Sequence, residues 1–178
     1  MQQPDPTAGT ARPAAFLDRD GVINVDHGYT YRPEHLEFTP TAIEAIGLLN
    51  KAGYHVLVVT NQSGVARGLY GLAEVEAFHA HINAALADAG AHIDAFYFCP
   101  YHPQGTVTEF AIEHEDRKPG AGMIRRAMRD WNVRAKGSFL IGDKPSDAES
   151  AAAAGIPSLL IPPNTGDLAQ AVRRFLNQ

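Results

Sequence analysis

Five short apolar runs, separated by longer helical patterns, constrain the fold of this chain more than any other feature. Each run is bounded by Gly, Pro, Asn or Asp, as is typical of strands that are buried on both faces of a sheet. The runs are residues 14–17, 54–59, 93–98, 138–141 and 158–161, and the helical patterns cover 41–51, 72–89 and 121–131. This alternation predicts an α/β fold with a doubly wound, mostly parallel, Rossmann-like sheet. Its ligands would bind beyond the carboxyl ends of the strands.

The length and the apolar content of the chain are those of one compact domain. With 178 residues, of which 45% are hydrophobic, the chain can bury one substantial core. We expect residues 1–13, rich in Pro, Gly, Gln and Thr, to be a flexible tail and residues 14–178 to form a single domain. Two long connections, 21–39 and 100–118, leave no room for a large cap domain. A capping box of Thr41 and Glu44 is expected to begin the first helix.

Charge and cysteine content exclude several classes of partner. The formal net charge of −5, without a block of like charges, gives no basic surface for nucleic acid or for an anionic membrane. Cys99 is the only cysteine, so an intrachain disulfide is excluded. No apolar run approaches the length of a membrane span or a signal peptide. We therefore expect a cytoplasmic protein with a small-molecule substrate, and we expect it to be a monomer.

Two carboxylates lie directly after the first predicted strand. Asp18 and Asp20 are two residues apart at the carboxyl end of this buried strand. In phosphoryl transfer, one carboxylate can attack phosphorus while the other protonates the leaving oxygen and later activates water. A lone pair of this kind is more often an ordinary turn or helix cap, so other motifs must decide between the two interpretations.

Three further polar clusters follow strands or precede a helix. They are Thr60 to Gly64 after the second run, Arg117 and Lys118 before Pro119, and Asp143, Lys144 and Asp147 after the fourth run. Alone, each is compatible with a turn, surface charge or a helix cap. Together with Asp18 and Asp20, in chain order, they supply a nucleophile, hydroxyl and amide donors, a cation and a carboxylate for a hard divalent metal. The order predicts a phosphatase site at one edge of the sheet.

Several segments resemble a known family. They are FLDRDGVINVDHGY, TNQSGVARG, CPYHPQG, RKPGAGM and IGDKPSD, which lie between residues 16 and 147. Their order resembles that of the haloacid dehalogenase superfamily. Within it, they are similar to the D-glycero-D-manno-heptose 1,7-bisphosphate 7-phosphatases of surface-polysaccharide (lipopolysaccharide) biosynthesis.

The resemblance implies Mg²⁺-dependent removal of the 7-phosphate through an aspartyl-phosphate intermediate. It makes Asp18 the nucleophile and Asp20 the acid/base, with Thr60 and Lys118 stabilising the transferring phosphoryl group. It implies that Mg²⁺ is held by Asp18, the Asp20 carbonyl and Asp143. The substrate-binding residues that it implies are Asp26, His27, Gly28, Tyr29, Asn61, Gln62, Ser63, Arg117 and Lys144.

The connection 100–118 departs from the family pattern. Many members bind a structural zinc there through CxH followed by CxC. The matching positions in this chain are Cys99, Tyr101, His114 and Asp116. Because a neutral tyrosine is a poor zinc ligand, we expect no structural zinc. An alternative ligand set with His102 in place of Tyr101 remains open if the loop refolds slightly.

Two other functions remain open. Histidinol-phosphate phosphatase, or a phosphatase of another small phosphometabolite, would share the DRDG and RKP segments, although TNQSGVARG and NVDHGY favour the heptose substrate. A non-catalytic phosphoaspartyl signalling module would also use a phosphorylatable Asp. Such a module has no need of an acid/base at Asp20. His79 and His81 have no partner motif and are assigned no function.

Overall fold

The structure is a computed structural model that describes residues 10–177, and a single parallel sheet organises it. The strands are β1 (Ala14–Leu17), β2 (His55–Asn61), β3 (Ala95–Cys99), β4 (Phe139–Gly142) and β5 (Ser158–Leu160). Their order in the sheet is β3-β2-β1-β4-β5, and every neighbouring pair is parallel. The predicted α/β, doubly wound, Rossmann-like fold is therefore confirmed.

Helices cover both faces of the sheet. They are α1 (Ala42–Lys51), α2 (Leu72–Ala87), α3 (Gly122–Asp130), α4 (Pro145–Ala154) and α5 (Leu168–Leu176). None of these helices has the length and apolar character needed to cross a bilayer. Successive side chains of a strand point to opposite faces, so β1 contributes side chains to two hydrophobic cores, one on each face of the sheet. Leu17 packs with residues of α1, α2 and α5, whereas Phe16 packs with residues of α3 and α4. Both faces are buried, which explains the uninterrupted apolar runs.

The start of α1 differs from the sequence prediction. The expected capping box of Thr41 and Glu44 is wrong, because the Thr41 side chain makes no hydrogen bond within α1. The Thr41 hydroxyl instead donates to Asp167 (2.9 Å) and accepts from the amide of Ala169 (3.0 Å), at the start of α5. Glu44 of α1 forms an ion pair with Arg173 of α5. Tertiary contacts with α5 therefore outweigh the local capping pattern.

Residues 1–9, the larger part of the predicted tail, lie outside the described residues. The last two residues of the predicted tail, Arg12 and Pro13, form hydrogen bonds with the rest of the fold. The carbonyl of Pro13 accepts from the amide of His55 (3.0 Å), and that of Arg12 accepts from the amide of Arg134 (3.0 Å). Within residues 10–177, regular contacts thus begin at Arg12, just before β1.

Candidate active site

The carboxyl edge of the sheet gathers the polar clusters of the sequence. Asp18 follows β1, Thr60 lies near the end of β2, and Asp143 follows β4. The amide of Asp18 donates to the carbonyl of Ile141 (3.0 Å), which ties the end of β1 to β4. A small cavity at this edge is lined by Asp18, Asp20, Thr60, Asn61, Lys118, Lys144, Ser146 and Asp147. Seven of these eight residues belong to the clusters that the sequence singled out, and Ser146 is the exception.

Lys118 is a buried cation between two carboxylates. Only 4% of it is exposed, and its Nζ lies 2.9 Å from Asp18 Oδ1 and 2.5 Å from Asp147 Oδ1. Burial lowers the pKa of Lys118, but the two carboxylates outweigh this effect and raise it above its ordinary value. The Asn61 side chain holds the backbone of Lys118: it accepts a hydrogen bond from the Lys118 amide (3.0 Å) and donates one to the Lys118 carbonyl (3.1 Å). The lysine therefore stays charged and fixed beside Asp18.

Three carboxylates converge in this region. One oxygen from each of Asp18, Asp143 and Asp147 lies within 4.8 Å of the other two. Asp143 Oδ1 is buried without a hydrogen-bond partner. Burial first, and then the nearby Asp18 charge, raise the pKa of Asp143 to about 7. A hard divalent cation would relieve this crowding, because such ions prefer carboxylate oxygens. The residues present therefore fit a Mg²⁺ ion.

Asp147 also shapes the turn after β4. Its Oδ2 accepts from the amides of Asp143 (3.2 Å) and Lys144 (3.0 Å). A Cβ on Gly142 would lie 2.4 Å from the Asp147 side chain, so this position requires glycine. The sequence placed Asp147 in the cluster that was expected to supply a metal carboxylate, but it did not identify Asp147 as the partner of Lys118. Its contact with Lys118 depends on the meeting of the first turn of α4 with the distant connection between β3 and α3.

Asp20 lies in a separate hydrogen-bond network. Its carboxylate accepts from Arg19 through Nε (3.1 Å) and Nη2 (2.9 Å), from Asn24 Nδ2 (3.0 Å) and from Gln62 Nε2 (2.9 Å). Arg19 is fully buried, and its Nη1 donates to His79 Nε2 (3.1 Å). Burial, and then the Arg19 charge, lower the pKa of His79 to about 2, so this imidazole is a neutral acceptor. Sequence reasoning assigned no role to Arg19 or His79.

A cleft of about 210 Å³ adjoins the carboxylates. Its lining residues are Asp20, Asp26, Gly28, Tyr29, Asn61, Gln62, Ser63, Tyr70 and Lys144. Seven of these are predicted substrate-binding residues, and Tyr70 is one that sequence reasoning missed. His27 and Arg117 do not line this cleft. His27 borders a separate open groove, where its Nε2 lies 3.5 Å from Glu37, and Arg117 donates to the carbonyl of Tyr101 (3.3 Å).

The connection between β3 and α3 holds the residues of the family zinc pattern. Cys99 is buried, and burial raises the pKa of its thiol to about 11. The Tyr101 and His114 rings stack with centroids 4.3 Å apart, and Asp116 forms a 2.6 Å ion pair with Arg126 of α3. Over residues 10–177, the only group of three or more His, Cys, Asp and Glu ligand atoms within 4.8 Å of one another is the aspartate cluster described above.

Comparisons with known proteins agree with this geometry. A family model described as HAD-hydrolase-like matches residues 116–173. The chain is 49% identical to a D-glycero-beta-D-manno-heptose-1,7-bisphosphate 7-phosphatase from Rhodopseudomonas palustris, over 82% of this chain and 81% of the relative. It is 44% identical to the protein of the same name from Salmonella typhi, over 81% of this chain and 77% of the relative.

Structural similarity supports the same relationship. A D,D-heptose 1,7-bisphosphate phosphatase from B. bronchiseptica, solved with magnesium and phosphate, matches with a TM-score of 0.79 and 32% identity. The match covers 93% of this chain and 98% of that structure. Sequence and structure lead to one conclusion. The chain belongs to the D-glycero-beta-D-manno-heptose-1,7-bisphosphate 7-phosphatase family of HAD-like hydrolases.

Proposed function

We propose that this chain removes the 7-phosphate of D-glycero-β-D-manno-heptose 1,7-bisphosphate, as the names of its relatives indicate for those proteins. The observation that carries the proposal is the position of Asp18. It lies 2.9 Å from the Lys118 ammonium and beside two further carboxylates, at the sheet edge next to an open polar cleft. A nucleophile, a fixed cation and a cation-binding cluster are the parts that phosphoryl transfer requires.

The proposed reaction has two steps. Asp18 attacks phosphorus and forms an aspartyl phosphate, while Asp20 gives a proton to the departing sugar oxygen. Asp20 then takes a proton from water, which attacks the aspartyl phosphate and releases inorganic phosphate. The Lys118 ammonium neutralises charge on the phosphoryl oxygens throughout, and the Thr60 hydroxyl donates a hydrogen bond to them. A Mg²⁺ ion held by Asp18, the Asp20 carbonyl and Asp143, with Asp147 beside it, would supply further neutralisation when bound.

The cleft fits a polar phosphorylated sugar. Asp26, Ser63 and Tyr29 offer hydrogen-bonding groups to sugar hydroxyls, and the exposed Lys144 ammonium is available to the second phosphate. Asp20 and Lys144 border both this cleft and the small cavity at Asp18. A sugar in the cleft would therefore present one end to the nucleophile. We include His27, Gly28, Asn61 and Arg117 in the proposed substrate-binding region on family resemblance, and Gln62 as part of its wall.

A substrate panel tests this function. Heptose 1,7-bisphosphate (both anomers), histidinol phosphate, other sugar phosphates and nucleotides would be compared by kcat/KM with Mg²⁺ present. We expect the heptose bisphosphate to have the highest value, with phosphate released from the 7-position. A higher kcat/KM for histidinol phosphate would replace the proposed substrate. A stable phosphoenzyme without steady phosphate release would instead indicate a signalling module.

We also propose that the 99–116 connection is held without zinc. The Tyr101–His114 stack and the Asp116–Arg126 ion pair supply contacts that link its two ends and attach it to α3. The Cys99 thiol is buried and contacts the Tyr101 carbonyl (3.9 Å). Elemental analysis of protein purified without added metal or chelator tests this. Stoichiometric zinc, together with loss of activity when it is stripped and Mg²⁺ restored, would contradict the proposal.

We propose that residues 14–178 form one catalytic domain and that the protein acts as a cytoplasmic monomer without nucleic-acid or membrane partners. The absence of a basic surface in the composition, with a net charge of −5, supports the second part. Sedimentation velocity on the purified chain would measure its oligomeric state, and a dimer would contradict the monomer.

A further inference from the structure

Tyr70 lies outside every segment that the family motifs cover, yet it contacts the catalytic region. It belongs to the connection between β2 and α2, and only 8% of it is exposed. Its hydroxyl donates to Gln62 Oε1 at 2.8 Å. Burial is the main cause that raises the pKa of Tyr70 to about 12, so the phenol remains a proton donor at neutral pH. The ring thus supplies one fixed hydrogen-bond donor beside the cleft.

Gln62 is the residue that receives this hydrogen bond, and its side chain is fully occupied. Oε1 accepts from Tyr70 and from Arg19 Nη2 (3.2 Å), while Nε2 donates to Asp20 Oδ2 (2.9 Å) and Thr60 Oγ1 (2.9 Å). An amide oxygen accepts two hydrogen bonds readily and an amide nitrogen donates two, so its capacity is used. Although Gln62 borders the cleft, it is only 1% exposed and has no donor left for a substrate.

The partners of Gln62 determine which way its amide faces. Tyr70 and Arg19 both donate, so the oxygen must point toward them. The nitrogen then points toward Asp20 and Thr60. The hydrogen bond from the Tyr70 hydroxyl thus helps to orient Gln62. In this orientation the Gln62 nitrogen donates to the proposed acid/base Asp20 and to the hydroxyl of Thr60.

The surrounding chain leaves a specific space for the Tyr70 ring. A Cβ on Gly64 would lie 2.2 Å from Cε1 of this ring, so a side chain there would displace it. The Tyr31 ring stacks on the other side, with centroids 4.6 Å apart. The ring therefore occupies a site that glycine on one side and an aromatic ring on the other keep open. Its hydroxyl is held in place by this packing.

We propose that Tyr70 is a positioning residue for Asp20 and acts through the Gln62 amide; this rests on the proposed function. Arg19 holds Asp20 independently, through Nε and Nη2. Loss of the Tyr70 hydroxyl therefore leaves the ion pair intact and removes the shorter of the two hydrogen bonds that hold the Gln62 oxygen. We expect an intermediate effect, about 10-fold in kcat, well below that of losing a group that touches the phosphoryl oxygens.

The test is Tyr70→Phe, with Tyr31→Phe as its matched control. Tyr31→Phe also removes one hydroxyl from the stacked pair, but that hydroxyl contacts the exposed Arg32. With heptose bisphosphate and Mg²⁺, Tyr70→Phe should lower kcat about 10-fold and change KM less than twofold, whereas Tyr31→Phe should change neither. Tyr70 borders the cleft, so a direct substrate contact would instead raise KM. That result, or equal kcat in the two variants, would overturn the proposal.

A double-mutant cycle with Asp20→Asn separates positioning from a structural effect. Single-turnover rates would be measured for wild type, Tyr70→Phe, Asp20→Asn and the double variant. If Tyr70 acts on Asp20, its loss should cost less than twofold in the Asp20→Asn background. A full 10-fold loss there would overturn the proposal. Gln62→Met enters the same cycle if Tyr70→Phe does not fold.

These results are distinguishable from a failure of the proposed function. A wild-type protein that releases no phosphate from any compound of the panel defeats the proposed function itself. An active wild type whose Tyr70→Phe variant matches Tyr31→Phe defeats only the positioning role.

Discussion

Asp18 and Asp20 are two residues apart, yet their environments differ in charge. Around Asp18, three carboxylates face two ammonium groups, the buried Lys118 and the exposed Lys144, whose Nζ lies 3.9 Å from Asp143, which leaves a formal excess of one negative charge. Around Asp20, one carboxylate faces the buried guanidinium of Arg19 and several neutral donors, and the formal charges balance. The first environment requires a further cation, and the second is complete without one. Neighbouring carboxylates can thus take different roles because their surroundings differ.

The largest expected effect tests this division of roles directly. Asp18→Asn should abolish turnover, because an amide is a poor nucleophile and the substitution also weakens the metal site. Asp20→Asn should slow turnover and allow phosphoenzyme to accumulate, since the nucleophile is retained. Phosphate release and acid-quench trapping of phosphoenzyme measure both. Near-normal kcat in Asp18→Asn would contradict the mechanism.

Removal of the metal tests the charge excess around Asp18. Chelation should abolish phosphate release, and Mg²⁺ should restore it. Mg²⁺ at about 100 times its Kd should also raise the free energy of unfolding by about 2.7 kcal/mol. Asp143→Asn should reduce this stabilisation, whereas Asp88→Asn, at an exposed position on the surface, should leave it unchanged. Equal Mg²⁺ stabilisation of both variants would place the ion elsewhere.

Lys118 is the buried cation that the first environment already contains. Lys118→Ala should lower kcat/KM by about 10²-fold or more, as expected when one preorganised cation is removed from the phosphoryl group. Lys136→Ala, at an exposed position, serves as the control. A loss confined to thermal stability, with kcat/KM unchanged, would make Lys118 a structural residue only.

A substitution that weakens the connection between β3 and α3, which contains Lys118, should have a smaller effect, and this effect should be on stability. Arg126→Ala leaves the Asp116 carboxylate, which is 6% exposed, without its ion-pair partner. The free energy of unfolding should fall by about 1–3 kcal/mol, the range for a buried polar group that loses its partner. Arg129→Ala, on an exposed position of the same helix, is the matched control. Urea unfolding of the two variants checks the difference.

The smallest effect concerns the neutral His79 of the second environment. Because burial and Arg19 lower its pKa to about 2, the folded protein binds its proton far less readily than the unfolded chain. Its contribution to stability is present above pH 6.5 and is lost as the pH falls below that value. Arg19 is the charged group that contacts it, and the rings of Phe96 and Phe98 lie against it.

Replacement of His79 should remove this pH dependence. Between pH 7 and 6, the free energy of unfolding should fall about 0.7 kcal/mol more in wild type than in His79→Gln, for an unfolded pKa of about 6.5. His81→Gln, at an exposed position of α2, should retain the wild-type dependence. Identical pH dependence in wild type and His79→Gln would show that the folded and unfolded states bind this proton equally, so that the pKa of His79 is not lowered in the fold.

The sequence by itself was sufficient for the sheet and for the residues that meet at the ends of its strands. Apolar runs that end in polar residues identify buried strands, and parallel strands bring their carboxyl ends to one edge. Asp18, Thr60 and Asp143 each lie near such an end, so their meeting follows from chain order. The helix α4 escaped prediction because its sequence PSDAESAAAA has no apolar stripe, although it does form a helix.

Only the tertiary structure decided the contacts around Asp20 and the burial of Lys118 between Asp18 and Asp147. Arg19 reads as a charged turn residue, and nothing local shows that it is fully buried against His79 of α2. Gln62 lies in a segment typical of a turn, and its hydrogen bonds with Asp20 and with Tyr70 depend on the path of the β2–α2 connection. Buried polar groups require partners, but a sequence pattern does not say which distant segment supplies them. That choice is made when the loops pack at the sheet edge.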